Sequence, residues 1–175
     1  AMGNPAPAGA RIVVFGDTHL GFDSAVNARV ERRRRGDDFD ANFDRVLSHA
    51  RSTRADVLVH CGDFFHRSRV HSSIVDGAFG RLAAVAAAGI TVLIVPGNHD
   101  RSKLPSSLWL GHRNIHVFDR PKTAQVEVRR ISLAFAGFPF AWGDLRGKFP
   151  DILLETGFHE SDAAARFLCM HHTVA

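Results

Sequence analysis

Ile90-Thr91-Val92-Leu93-Ile94-Val95-Pro96-Gly97-Asn98-His99-Asp100 runs from a short apolar stretch straight into a carboxamide, an imidazole and a carboxylate. The stretch reads as a buried strand over Thr91 to Val95, stopped by Pro96, which has no N–H to offer a ladder. The same event recurs along the chain. Gly16-Asp17-Thr18-His19 follows Ile12 to Phe15, Gly62-Asp63 follows Val57 to Cys61, and His171-His172 follows Phe167 to Met170. In open α/β sheets, the loops beyond the carboxyl ends of parallel strands gather into one crevice. Four such strands predict that Asp17, His19, Asp63, Asn98 and His171 meet there.

Two helices are expected between these strands. Phe39, Phe43, Val46, Leu47 and Ala50 recur at helical spacing, with Asp37 or Asp38 placed to cap the first turn. Ile74, Val75, Ala78, Phe79, Leu82, Val85 and Ala86 mark the second, with Ser73 and Asp76 as a capping box and Gly89 as its end. The resulting βαβαβ order predicts a parallel sheet with right-handed crossovers. Leu20 to Asp37 reads as a polar loop. Beyond Asn98, His116 to Phe118, Gln125 to Val128 and Ile131 to Phe138 read as shorter strands, hence hairpins or a second, mixed sheet. Lys148 to Thr156 reads as a helix.

The bulk numbers set the frame. A chain of 175 residues, 45% hydrophobic and 23% charged, is one domain of ordinary globular composition. Ala1 before Met2 reads as a cloning scar, so residues 1–9 are set aside as a leader and 10–175 as the domain. No apolar stretch reaches membrane-spanning length and no signal peptide is legible, so the expectation is a cytoplasmic protein without a membrane partner. The two cysteines, Cys61 and Cys169, lack a CxxC partner and read as small buried thiols. A formal charge of +4 favours an anionic partner without identifying it.

The residue types at the strand ends fit metal chemistry. Asp17 and His19 are one residue apart, and in extended geometry both would face one ion. Asp63 has two oxygens with which to bridge two ions, while Asn98 offers a neutral carbonyl oxygen and His171 an imidazole nitrogen. Mixed oxygen and imidazole donors suit Mn²⁺, Fe²⁺ or Zn²⁺ better than Mg²⁺ or Ca²⁺. Two divalent cations against two carboxylates leave such a site electropositive. It would attract a phosphate and supply a metal-activated hydroxide for in-line displacement. His99 is placed to protonate the leaving oxygen or stabilise the transition state, Asp100 to orient that imidazole, and His66 to contact the phosphate.

Gly16-Asp17-Thr18-His19-Leu20-Gly21, Gly62-Asp63-Phe64-Phe65-His66, Gly97-Asn98-His99-Asp100 and His171-His172 together resemble the calcineurin-like metallophosphoesterases. More narrowly they resemble the SbcD-type DNA-repair exonuclease branch, over roughly Arg11 to Thr173. The resemblance implies an α/β fold, an αββα sandwich of two mixed β-sheets flanked by helices. It also implies Mn²⁺-dependent cleavage of DNA phosphodiesters. Metal-ligand roles then fall on Asp17, His19, Asp63, Asn98 and His171 (His171 rather than His172), and the transition-state role on His99. The family closes its site with Gly-His-x-His, and SbcD-type proteins carry a cap domain and an ATPase-binding tail. This sequence has none of these after His171. It is therefore expected to be the N-terminal portion of such a domain, with each ion one imidazole short. An SbcC-like ATPase partner would engage through the missing segments, and a homodimer is a further expectation.

Other readings stand beside these. Arg32, Arg33, Arg34 and Arg35 read first as a solvated loop and second, with Arg67, as DNA-phosphate contacts. Phe138 to Trp142 reads as packing over the site entrance, with base stacking second. His49, His60, His71, His112, His116 and His159 read as surface or structural residues. A phosphoprotein phosphatase would carry Asp-Arg-Gly where this chain has His66-Arg67-Ser68. A small-molecule or nucleotide phosphodiesterase and a non-catalytic binding module are the competing functions.

Overall fold

The computed structural model describes residues 9–23, 25–27, 30–34, 36–100, 104 and 109–173, with backbone alone for 25–27 and 30–34. Four strands make a parallel sheet in the order β1 (Ile12–Phe15), β4 (Val57–His60), β5 (Thr91–Ile94) and β6 (Ile115–Val117). Helix α1 (Gly36–Ser52) connects into β4, and α2 (Ser72–Ala87) connects β4 to β5. A three-stranded mixed sheet follows, in which β7 (Lys122–Val128) and β8 (Ile131–Gly137) form an antiparallel hairpin. β9 (Ala165–Cys169) runs parallel to β8.

The period-two alternation of the central strands builds two cores. Leu58, Val92, Ile94, Ile115 and Val117 pack with Phe43 and Leu47 of α1 and Phe79, Leu82 and Val85 of α2. Val57, Val59, Leu93 and Val95 point the other way, onto Val126, Leu133 and Phe135 of the second sheet. Both faces of β4 are covered, so all four of its residues are buried. Each large apolar side chain so buried contributes roughly 1.5–3 kcal/mol. Helix α3 (Leu145–Glu155) lies beside the second sheet, with Phe149 near Phe138 and the Thr156 carbonyl accepting the Thr123 hydroxyl. The layers are helix, sheet, sheet, helix, as the αββα reading requires.

Several local expectations are corrected. The first sheet is wholly parallel among the described strands, rather than mixed. β6 joins it, and not the second sheet, because Ile115 and Val117 complete the helix-side core. The stretch read as a polar loop, Leu20 to Asp37, contains an antiparallel hairpin, β2 (Ala25–Asn27) with β3 (Val30–Arg34). Its charged strand has no apolar alternation to betray it. Ser73 does not cap α2: the helix starts at Ser72, and His71 is the cap, its Nδ1 accepting the Ser73 N–H at 3.3 Å. Gly89 ends that helix in the left-handed region, φ +88°. Helix α3 begins three residues before its expected start, because Gly147 and Pro150 mask the first turns to a propensity reading.

The turn between β7 and β8 is Arg129-Arg130, both at positive φ, 49° and 68°. Two such residues match the twist of the flanking strands. Arg129 is tied by its guanidinium to Asp56 at 3.0 Å.

Candidate metal centre

Beyond their carboxyl ends, β1 and β4 stay zipped together. The N–H groups of Asp17, His19 and Leu20 donate to the carbonyls of Gly62, Asp63 and Phe64, and His66 N–H returns to Leu20. Asp17, His19 and Asp63 all adopt left-handed backbone, at φ 53°, 42° and 54°. The extended geometry expected for Asp17 and His19 is therefore not what joins them. The loop turns at both residues, and the second loop's carbonyls hold it there. Such conformations cost of order 1 kcal/mol each and persist where the surroundings over-determine them.

A buried relay fixes this pairing. Gly62 N–H donates to His60 Nδ1 at 3.3 Å, and the Thr18 hydroxyl donates to the Phe64 carbonyl at 3.0 Å. Thr18 Oγ1 has one hydrogen, so in its 2.9 Å contact with His60 the Nε2–H must be the donor. His60 is thus a neutral imidazole. Burial foremost, then the neighbouring His171 and His19, pushes its pKa down to about 3. Thr18 was not singled out from sequence. The available signal was His60 itself, a polar residue in an otherwise apolar strand.

The side chains converge on one atom. Asp63 Oδ2 lies 3.7 Å from His19 Nε2, 3.8 Å from His99 Nε2 and 3.5 Å from His171 Nε2. Asp17 Oδ1 is 3.8 Å from His19 Nε2. The other oxygen, Asp63 Oδ1, accepts the His99 N–H at 3.0 Å. Asn98 lines the same cavity, with Asp17, His171 and Phe140.

The imidazoles are oriented by carbonyls, which only accept. His171 Nδ1–H donates to Cys61 O at 2.8 Å and His99 Nδ1–H to His66 O at 2.6 Å, leaving each Nε2 toward Asp63. His172 turns away, its Nε2 accepting the Ala141 N–H. Asp100 does not orient His99. Its buried carboxylate accepts three backbone N–H groups, from Phe64, Phe65 and Gly97, at 3.0, 2.8 and 2.9 Å. Burial raises its pKa, and those three bonds oppose the rise. His66 sits across from His19 and His99, with ring centroids 5.8 and 5.7 Å away. Burial, then Arg67, lowers its pKa.

Two glycines are dictated by close approach. A Cβ on Gly97 would lie 2.2 Å from both Asp63 N and Oδ1, and one on Gly62 would lie 2.3 Å from the His171 ring.

The donors fit divalent ions. Asp17, Asp63 and His171 form one group with mutual donor distances within 4.8 Å, and His19, His66 and His99 another. Two ligands on one ion with bonds near 2.1 Å sit roughly 3–3.5 Å apart, so the 3.5–3.8 Å separations need only tenths of an ångström of closure. Among the described residues His19 Nδ1, which is buried, finds no hydrogen-bond partner, so none of them fixes that ring's tautomer. Arg67 is exposed after His66. The side chains of Arg32, Arg33 and Arg34, and all of Arg35, lie outside the described residues. Cys169 is buried with its thiol pushed up to about 12 by burial, and Cys61 is half-buried just past β4.

The chain is similar to known proteins. The calcineurin-like phosphoesterase family matches residues 10–174. A DNA double-strand break repair protein Mre11 from Haloferax volcanii is 34% identical over 100 residues, 57% of this chain and 21% of that protein. The Mre11 of Halobacterium salinarum is 31% identical over 101 residues, 58% of this chain and 24% of that protein. The chain thus spans about a fifth to a quarter of the length of these curated relatives. Among solved structures, a dimetal phosphatase from Danio rerio covers 73% of this chain and 43% of its own, at TM-score 0.45 and 18% identity.

Proposed function

The chain belongs to the calcineurin-like phosphoesterase family, and on that premise we propose that it hydrolyses phosphodiesters of DNA with two divalent cations, Mn²⁺ first. The observation that carries this reading is the convergence of three Nε2 atoms within 3.5–3.8 Å of Asp63 Oδ2, beside Asp17. Asp17, His19, Asp63, Asn98 and His171 would hold the ions, and Asp63 would be shared between them. Ions held there supply positive charge to the phosphate oxygens and acidify the attacking water.

The protein's own part is positional and protic. His99 keeps its Nδ1–H on the His66 carbonyl in both protonation states. As imidazolium it gives the Nε2 proton to the leaving oxygen and returns to the same neutral tautomer. His66, with its lowered pKa, acts near neutral pH as an uncharged hydrogen-bonding partner for a phosphate oxygen. The Mre11 likeness supports DNA as the substrate; the basic net charge of +4 is consistent with it.

Hydrolysis with Mn²⁺ of single-stranded DNA, bis-p-nitrophenyl phosphate and p-nitrophenyl phosphate tests the reading. DNA should be cut, and His99→Ala should lower kcat by about 10²–10⁴. Diester hydrolysis without DNA cleavage would point instead to a small-molecule phosphodiesterase. Silence toward all three would point to a binding module.

A further inference from the structure

Trp142 is 62% exposed, and nothing in either core requires it. A single exposed aromatic is ordinary, but this one ends a column of rings, Trp142, Phe140 and His172, whose inner members line the cavity beside the metal centre. Its indole meets the Phe140 ring edge-on, with centroids 5.0 Å apart, and Phe140 stacks flat on His172, at 4.5 Å and 11°. Phe140 and His172 also wall the cavity of about 350 Å³ that contains Asp17, Asn98 and His171.

Backbone bonds hold the inner part of the column. Phe140 N–H donates to the Pro96 carbonyl, directly before Gly97-Asn98, and Ala141 N–H fixes the His172 ring. Lys148 Nζ reaches the Trp142 carbonyl at 3.3 Å, which sets an exposed cation at the foot of the indole.

We propose that Phe140 and Trp142 form a stacking ledge for a nucleobase of single-stranded DNA next to the scissile phosphate, with Lys148 beside the adjoining phosphate. An exposed indole beside a phosphate-binding cavity offers what an unpaired base seeks: a flat apolar face reached while its own phosphate stays on the cations. Stacking on an aromatic side chain is tolerant of base identity, so the ledge selects unpaired over paired DNA and not one sequence over another. The proposal rests on the DNA reading above.

Two measurements test it. In cleavage of single-stranded oligonucleotides, one abasic residue is walked along the strand. At the position that meets the ledge, wild type should show KM raised roughly tenfold. Trp142→Ala should show that higher KM already with the intact strand and lose no more to the abasic residue, while Trp142→Phe should recover most of the difference. Separately, in the metal-loaded His99→Ala background, where cutting is slowed and the cations still hold the phosphate, oligothymidylate should quench indole fluorescence when Trp142 is present and not when Trp142→Leu is added. An abasic deoxyribose-phosphate oligomer of equal length should quench neither. DNA cleavage with Trp142→Ala indistinguishable from wild type, or abasic sensitivity persisting in the variant, overturns the ledge and leaves the nuclease reading standing. Base-dependent quenching without cleavage keeps the ledge and sinks that reading; no base-dependent quenching sinks the ledge whatever the protein cleaves.

Discussion

Asp63 and Asp100 are both buried carboxylates within one loop cluster, yet their surroundings give them different work. Asp63 spends one oxygen on the His99 N–H and leaves the other to three imidazoles. Asp100 spends both oxygens on backbone, clamping the loop after β4 to the loop after β5. An amide at position 100 must aim its NH₂ at backbone N–H donors in either flip, because both oxygens are already accepting. Asp100→Asn should therefore cost about 2–3 kcal/mol and lower Tm by roughly 5–10 °C in a chain of this size. Thermal unfolding monitored by circular dichroism reads this directly, and an unchanged Tm would mean the clamp contributes nothing. The contrast also shows what a motif conceals. Gly97-Asn98-His99-Asp100 announces a site, but nothing in the string tells that Asp100 faces Phe64 and Phe65 rather than His99. That assignment depends on a loop some 35 residues away in sequence.

Strands β1, β4 and β5 were legible from their apolar runs, and α1 and α2 from their helical periodicity, because each buries a face whose spacing is written locally. What was not legible depends on partners. The β2–β3 hairpin is held by backbone pairing, and β6 finds its sheet only through the α2-side core. The junction of the loops after β4 and β5 gives an element-scale test. A methyl on Gly97 would meet the Asp63 backbone nitrogen at 2.2 Å, and backbone cannot swing aside as a side chain would. Gly97→Ala should weaken Mn²⁺ binding at least about tenfold, by displacing the shared carboxylate. Gly80→Ala is the matched control. A Cβ there meets nothing within 4 Å, and in the interior of α2 alanine should be neutral or stabilising by roughly 0.5–1 kcal/mol. Isothermal titration with Mn²⁺ on both variants decides the matter. Equal affinities would show that the loops do not need their close approach.

At the scale of the molecule, a parallel sheet covered on one face by α1 and α2 and on the other by a second sheet leaves the carboxyl ends of its strands open for chemistry. The ends of β1, β4 and β5, joined by that of β9 from the second sheet, deliver their polar groups there. The donors come from residues as far apart as Asp17 and His171, which is why a sequence can name them and yet not place them. Their common geometry is set by the β1–β4 zipper, the His60–Thr18 relay and the carbonyls that orient His99 and His171. None of these is visible in a linear pattern. Among the described residues no helix is long and apolar enough to cross a membrane. In the proposed chemistry two cations would share the Asp63 carboxylate. Electron paramagnetic resonance of the Mn²⁺-loaded protein addresses that most directly. Two ions per chain with an exchange-coupled signal, collapsing to an uncoupled one in Asp63→Ala, is the predicted result. A single uncoupled ion in the wild type, or coupling that survives Asp63→Ala, would contradict it.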